Sequence, residues 1–254
     1  MDLGWFEVAL NVTEIKRSLE FYQTLGFEFG NDAEINNNVA ALYKDDCSVT
    51  LYQGHLDPAR PQLIFWQGDV AAIAADLTAK GVEFFRPLKT DDTGGGAFML
   101  LDPDGHPVFF IAMNKYADNS PVTGPDGKRI KARQYPPNKK RDIAFGTFVF
   151  SLPVSNPIAS RGFYKTLGLR RFGETNTLAS NDCRIGLFGL WLARPQLIFW
   201  GGNVDAIESE LSSRGLKFQP HADDGRGKCA MLFDPDAHPI YFVNMQDNTN
   251  QGSA

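Results

Sequence analysis

The stretch that decides the fold is RPQLIFW at Arg60–Trp66, because the same seven residues stand again, unchanged, at Arg194–Trp200. The identity spreads outward from it. RPQLIFWQGDVAAIAADLTAKGVEF, residues 60–84, aligns without a gap with RPQLIFWGGNVDAIESELSSRGLKF, residues 194–218. Upstream, FYQTLGF (21–27) answers FYKTLGL (163–169). Downstream, MLLDPDGHPVFFI (99–111) answers MLFDPDAHPIYFV (231–243). Three matches in the same order exclude chance and identify a tandem duplication. Each half of the 254 residues then has the size of an ordinary domain.

Within the first half, Phe6, Val8, Leu10 and Val12 alternate with Glu7, Ala9 and Asn11, which predicts a two-faced strand. Residues 14–25 follow at helical spacing, with Ile15, Leu19, Tyr22 and Leu25 on one side. Thr13 is placed to cap this helix and Gly26 to end it. Strands are expected at 27–34, 38–43 and 47–53. The order then repeats: a strand at PQLIFW, a helix over 69–80 between Asp69 and Gly81, and strands near 82–86, 96–101 and 107–112. Asp102-Pro103-Asp104-Gly105 is the turn before the last of them. In the second half, Asn156 with Pro157 opens one helix, and Asn203 and Gly215 bracket the other. The chain therefore reads as α+β, four βαβββ modules in two domains, 1–114 and 143–254. The Pro-, Gly- and Lys/Arg-rich segment 115–142 is read as a solvated linker, with a basic interaction segment as the alternative.

A net charge of −5 and a pI near 5.4 speak against nucleic acid or an anionic membrane as partner. No apolar run approaches a membrane span, and MDLGWFEV has no signal-like pattern. Cys47 and Cys183 each follow an Asp at matching places and read as packing residues rather than a disulfide. The expected compartment is the cytoplasm. TDDTGGGAFML (90–100) and ADDGRGKCAML (222–232) read as mobile loops, or as flaps over a site.

The FY-x-x-LG helix end followed by the DPDGHP turn, which is DPDAHP in the second half, resembles the vicinal oxygen chelate superfamily. That group includes glyoxalase I, extradiol dioxygenases and bleomycin-resistance proteins. The resemblance implies paired βαβββ modules whose curved mixed sheets form a cup, and it covers both halves apart from linker and tail. Enzymes of this superfamily hold a divalent metal in the cup by His, Gln or Glu side chains. Carried over one by one, those places fall on Glu7 and Val149 in the first strands, and on Gln62 and Gln196 in RPQLIFW. After the DPDG turn they fall on Phe109 and Tyr241. One carboxylate with neutral amides is a poor donor set for a divalent ion, so no metal or other cofactor is expected. His106 and His238 read as turn residues; His55 and His221 do not correspond to each other, and His221 has the lesser reading of a catalytic base.

Strand alternation puts Gln62, Ile64 and Trp66 on one face and Leu63 and Phe65 on the other; because Gln62 holds a ligand place, the resemblance implies that the first is the cup face and that the second packs under the helices. Glu7, Asn11 and Phe109 join the first cup; Gln196, Ile198, Trp200, Ser151 and Tyr241 form the second. Aromatic rings with a few amides suit a planar or partly apolar small molecule. The leading expectation is a metal-independent small-molecule binding protein, either a monomer with pseudo-twofold domains or a homodimer. The alternatives are a glyoxalase-type lyase or isomerase with Glu7 as base or ligand, and an interaction module whose cups are filled by their own side chains.

Overall fold

The computed structural model describes residues 2–29, 38–57, 59–92, 94–113, 122–123, 129–130, 143–173, 175–189, 192–220 and 227–245. The first domain runs β1 (Gly4–Val12), α1 (Ile15–Thr24), β2 (Glu28–Phe29), β3 (Val39–Lys44), β4 (Cys47–Gln53). It continues with β5 (Gln62–Gln67), α2 (Val70–Ala79), β6 (Arg86–Thr90), β7 (Gly96–Leu101), β8 (Pro107–Ala112). These strands form one curved mixed sheet in the order β2-β3-β4-β1-β5-β8-β7-β6. Two βαβββ modules are thus joined where β1 lies antiparallel to β5, and each also has its first strand parallel to its last.

The second domain repeats this design. It runs β11 (Gly146–Pro153), α3 (Pro157–Thr166), β12 (Arg170–Arg171), β13 (Thr177–Ser180), β14 (Cys183–Phe188). After these come β15 (Gln196–Gly201), α4 (Val204–Ser213), β16 (Gly227–Phe233) and β17 (Pro239–Met245). Its order is β12-β13-β14-β11-β15-β17-β16, and beside β16 Gln219 forms an isolated bridge with Met231 among the described residues. Of the expected linker, only Val122–Thr123 (β9) and Arg129–Ile130 (β10) are described, paired as a ribbon.

The alternating pattern lies behind the layering. Phe6, Val8, Leu10, Leu63, Phe65, Phe98, Val108 and Phe110 are buried in the core with Ile73 and Leu77 of α2. Phe110 stacks on both Phe65 and Phe98, at 5.1 and 4.6 Å between centroids. Gly4 (φ +91°) and Gly146 (φ +98°) let the first strand meet the end of RPQLIFW. A Cβ there would stand 2.0 and 2.1 Å from the carbonyl oxygens of Trp66 and Trp200.

Three local expectations need correction. The strand expected at 82–86 lies at 86–90, because Val82 N–H still donates to Leu77 O and Gly81 (φ +73°) is only then reversing the chain. Of the strand expected at 27–34, Glu28–Phe29 is described and 30–37 lie outside the described residues. Thr13 does not cap α1. Its N–H and hydroxyl both donate to Asp236 of the other domain, at 2.9 and 2.7 Å, while Gln53 Oε1 accepts from Ile15 N–H. The caps Asp69, Asn156 and Asn203 accept first-turn N–H groups as expected.

That Thr13 contact belongs to a reciprocal clamp between the domains. The DPD turn of each domain grips the first helix of the other. Tyr164 Oη donates to Asp102 at 3.0 Å, and Tyr22 Oη donates to Asp234 at 3.0 Å. Ser160 Oγ and Ser155 N–H donate to Asp104; Ser18 Oγ donates to Asp236. Burial alone would raise the Asp104 pKa, but these Ser155 and Ser160 hydrogen bonds bring it below the usual carboxylate value. His106 and His238 are more than turn residues. Each ring Nδ1 lies on the buried Asp of its own turn, at 3.1 and 2.8 Å, and each backbone N–H donates to the same carboxylate. A second pair of contacts uses the β3–β4 and β13–β14 turns. Asp46 accepts from Phe148 N–H at 2.9 Å and Asp182 from Phe6 N–H at 3.3 Å. Cys47 and Cys183 are buried and not joined in a disulfide, as expected of packing residues, and burial pushes the Cys183 pKa well up.

Candidate functional site: two related cups

Each sheet has its helices on one face and a second, concave face opposite. In the first domain β1 sets the pattern. Phe6, Val8 and Leu10 are in the core, so Trp5, Glu7, Ala9 and Asn11 take the concave face. The register puts Trp5 opposite Trp66, Glu7 opposite Ile64 and Ala9 opposite Gln62; Ile64 in turn lies beside Phe109. The structure therefore brings Glu7, Asn11, Gln62, Ile64, Trp66 and Phe109 onto one surface. Glu7 is only 7% exposed, and its Oε1 accepts from the Trp66 indole N–H at 3.2 Å. Asn11 is partly committed elsewhere: its Oδ1 accepts from Leu56 N–H and holds the loop after β4.

The second cup is built the same way. Ser151 is opposite Gln196, Val149 opposite Ile198, Thr147 opposite Trp200, and Ile198 lies beside Tyr241. Its chemistry differs. Val149 replaces the carboxylate, and Tyr241 replaces Phe109. The Tyr241 phenol is raised above its ordinary pKa, first by burial and then by the neighbouring Cys229 thiol. Cys229 and Met231 stand beside Val243 and Tyr241 in the places of Ala97 and Met99.

Sequence reasoning missed Thr50 and Gly186. Thr50 faces Ala9 across β1 and β4, and Gly186 faces Ser151 across β11 and β14. The inter-domain clamp was missed as well. The signal for it was present, since FY and DPD are both repeated, but each was read within its own domain. The loop at Gly94–Gly96 is a hairpin turn in which Asp91 accepts from Gly95 N–H at 2.9 Å; the matching 222–226 and His221 lie outside the described residues.

The residues present do not fit a divalent metal. The inherited donor places hold Glu7, Gln62 and Phe109 in one cup and Val149, Gln196 and Tyr241 in the other. The single carboxylate is bonded to an indole, and the His106 and His238 rings are tied to Asp102 and Asp234. Among the described residues no three His, Cys, Asp or Glu side chains cluster as a metal site would require. Also among them, no helix is long and apolar enough to cross a membrane.

Comparison with known proteins bears on the fold. Residues 4–110 match the family model of the Glyoxalase/Bleomycin resistance protein/Dioxygenase superfamily. No curated protein matches in sequence. Among solved structures, an extradiol ring-cleaving dioxygenase from B. fuscum is similar with a TM-score of 0.59 at 16% identity, over 94% of this chain and 70% of that one. A catechol 2,3-dioxygenase is similar with a TM-score of 0.55 at 14% identity, over 95% and 86% of the two chains. Homoprotocatechuate 2,3-dioxygenase from Arthrobacter globiformis gives 0.56 at 16%, over 95% and 79%. At these identities the likeness is one of fold. The family model covers the first domain, the second repeats the first in sequence and strand order, and the solved structures share the architecture, so the chain has the tandem two-domain fold of the vicinal oxygen chelate type.

Proposed function

We propose that the protein binds a small molecule without a metal, holding an aromatic or partly apolar ligand against the Trp- and Gln-bearing face of its cups. The observation that carries this reading is the replacement of donor by ring. Where a metal site would place its last carboxylate stand Phe109 and Tyr241, each on the concave face beside Ile64 or Ile198. Ring faces with a few hydrogen-bonding groups recognise flat ligands by stacking and orient them by polar contacts. Glu7 adds a carboxylate to the first cup, which favours a ligand with a cationic or hydrogen-bond-donating group there. In this proposal the protein acts in the cytoplasm, as a monomer or a homodimer, with neither nucleic acid nor membrane as partner.

A thermal-shift screen of planar aromatic compounds and glutathione adducts tests it. A ligand at 100 times its Kd stabilises the folded chain by about 2.7 kcal/mol, a rise of roughly 5–10 °C for a protein of this size. No rise with any compound of these classes would remove the proposal. A second reading is a glyoxalase-type lyase or isomerase with Glu7 as base, favoured by the burial of that carboxylate. Turnover of a screened ligand that is lost in Glu7→Gln would establish it.

A further inference from the structure

Among the described residues, each cup has one buried hydroxyl with no hydrogen-bond partner: Thr50 Oγ1 in the first and Ser151 Oγ in the second. Thr50 is 2% exposed and Ser151 0%. The two hydroxyls are not equivalent in the repeat. Thr50 belongs to β4 and faces Ala9; Ser151 belongs to β11 and faces Gly186. The residue pair Ala9/Thr50 has become Ser151/Gly186, so the hydroxyl has changed strand and kept its place on the floor of the cup. The same row continues to an amide in both halves, Gln62 opposite Ala9 and Gln196 opposite Ser151. Neither amide hydrogen-bonds to another described residue, although Gln196 is 8% exposed.

A buried hydroxyl without a partner costs about 1–3 kcal/mol, and Val or Ala would avoid that cost. Two independent appearances of that cost, on different strands at one location, need a reason outside the folded chain. No Lys, Arg or His shares the row, so the group expected there is uncharged. We infer that the Thr50/Gln62 and Ser151/Gln196 pairs are the polar ends of two ligand sites, each taking an uncharged carboxamide- or carbonyl-bearing head, so that one chain binds two ligands. This rests on the binding reading above and names the ligand's polar end. Hydroxyl and amide N–H donate to the ligand carbonyl, and the Gln carbonyl accepts from a ligand N–H. In the second cup the Phe188 ring lies in the notch left by Gly186. A Cβ there would meet Phe188 Cε2 at 2.7 Å and Ser151 Oγ at 2.8 Å.

Benzamide is the probe, with cumene as its apolar isostere, and the Trp66 and Trp200 indole N–H resonances report the two cups. Both resonances should titrate with benzamide. Thr50→Val should raise the benzamide midpoint at Trp66, and Ser151→Ala that at Trp200, each roughly tenfold, with cumene unaffected. Without ligand, both variants should melt at or above the wild-type temperature. A fall of several degrees would show that the hydroxyls hold an internal partner such as a buried water, and would overturn the inference. Benzamide binding that ignores both substitutions, or occupies one cup only, would overturn it while leaving the binding reading intact. Failure of benzamide and cumene alike to move either resonance would remove the inference and count against the binding reading too.

Discussion

Tyr164→Phe tests whether the clamp between the domains carries the stability that its geometry implies. The substitution removes one hydroxyl from a fully buried site and nothing else. In the wild type that hydroxyl donates to Asp102 at 3.0 Å. A hydrogen bond to a charged group contributes about 1.5–3 kcal/mol. Asp102 would not be orphaned, because the N–H groups of Asp104 and His106 and the His106 ring still surround it, at 3.0, 2.8 and 3.1 Å. The loss should therefore lie near the lower end, about 1.5 kcal/mol, or roughly 3–6 °C in melting temperature for a chain of this size. Tyr22→Phe should cost the same, and the double variant the sum, since Asp102 and His106 share nothing with Asp234 and His238. The pH dependence gives an independent check. Burial, reinforced by Asp102, raises the Tyr164 pKa well above its ordinary value of 10.0. A raised pKa contributes stability that is fully present below the unfolded-state value and is lost as pH rises from there through the folded value. Above pH 10 the wild type should lose about 1.4 kcal/mol per pH unit through Tyr164, while the Phe variant does not. Denaturant titrations at pH 7, 10 and 11 measure this. The gap between the two proteins should be constant up to about pH 10 and nearly closed at about pH 11. Equal stability at pH 7, or a gap that stays constant to pH 11, would refute the reasoning.

Glu7→Gln should weaken binding of any cationic or donor-bearing ligand in the first cup, while Val149→Ala costs about 1.5–3 kcal/mol of packing and leaves ligand affinity nearly unchanged; equal effects on ligand affinity would show that the cups are alike. In the native protein a thiol reagent should modify half-buried Cys229 first and leave Cys47 and Cys183 unlabelled until unfolding; rapid labelling of all three contradicts their burial. A chelator should leave the melting temperature unchanged, and a fall of several degrees would mean that a metal contributes to the folded state.

Much of this molecule could be read directly. The duplicated RPQLIFW located two domains, and alternation within it assigned Gln62 and Trp66 to one face and Leu63 and Phe65 to the other. That worked because a strand has a period of two, so neighbouring residues face opposite ways wherever the strand is placed. The helix caps Asp69, Asn156 and Asn203 were equally readable, since a cap acts within three residues.

Sequence alone determined the repeat, the module order and which residues of each strand share a face, because those follow from local periodicity and internal identity. Tertiary structure decided what depends on distance along the chain. Thr13 carries a cap signature, yet its hydroxyl binds Asp236, 223 positions away. Tyr22 and Asp102 each stand in a repeated motif, but Tyr22 reaches Asp234 and Asp102 receives Tyr164. Local chemistry specifies which groups need partners; only the packing of one domain on the other specifies which partners they find. The same holds on the floors of the cups. That Thr50 and Ser151 occupy one place in two cups follows from the strand register, which pairs each with a smaller residue across the sheet and leaves both hydroxyls without a partner.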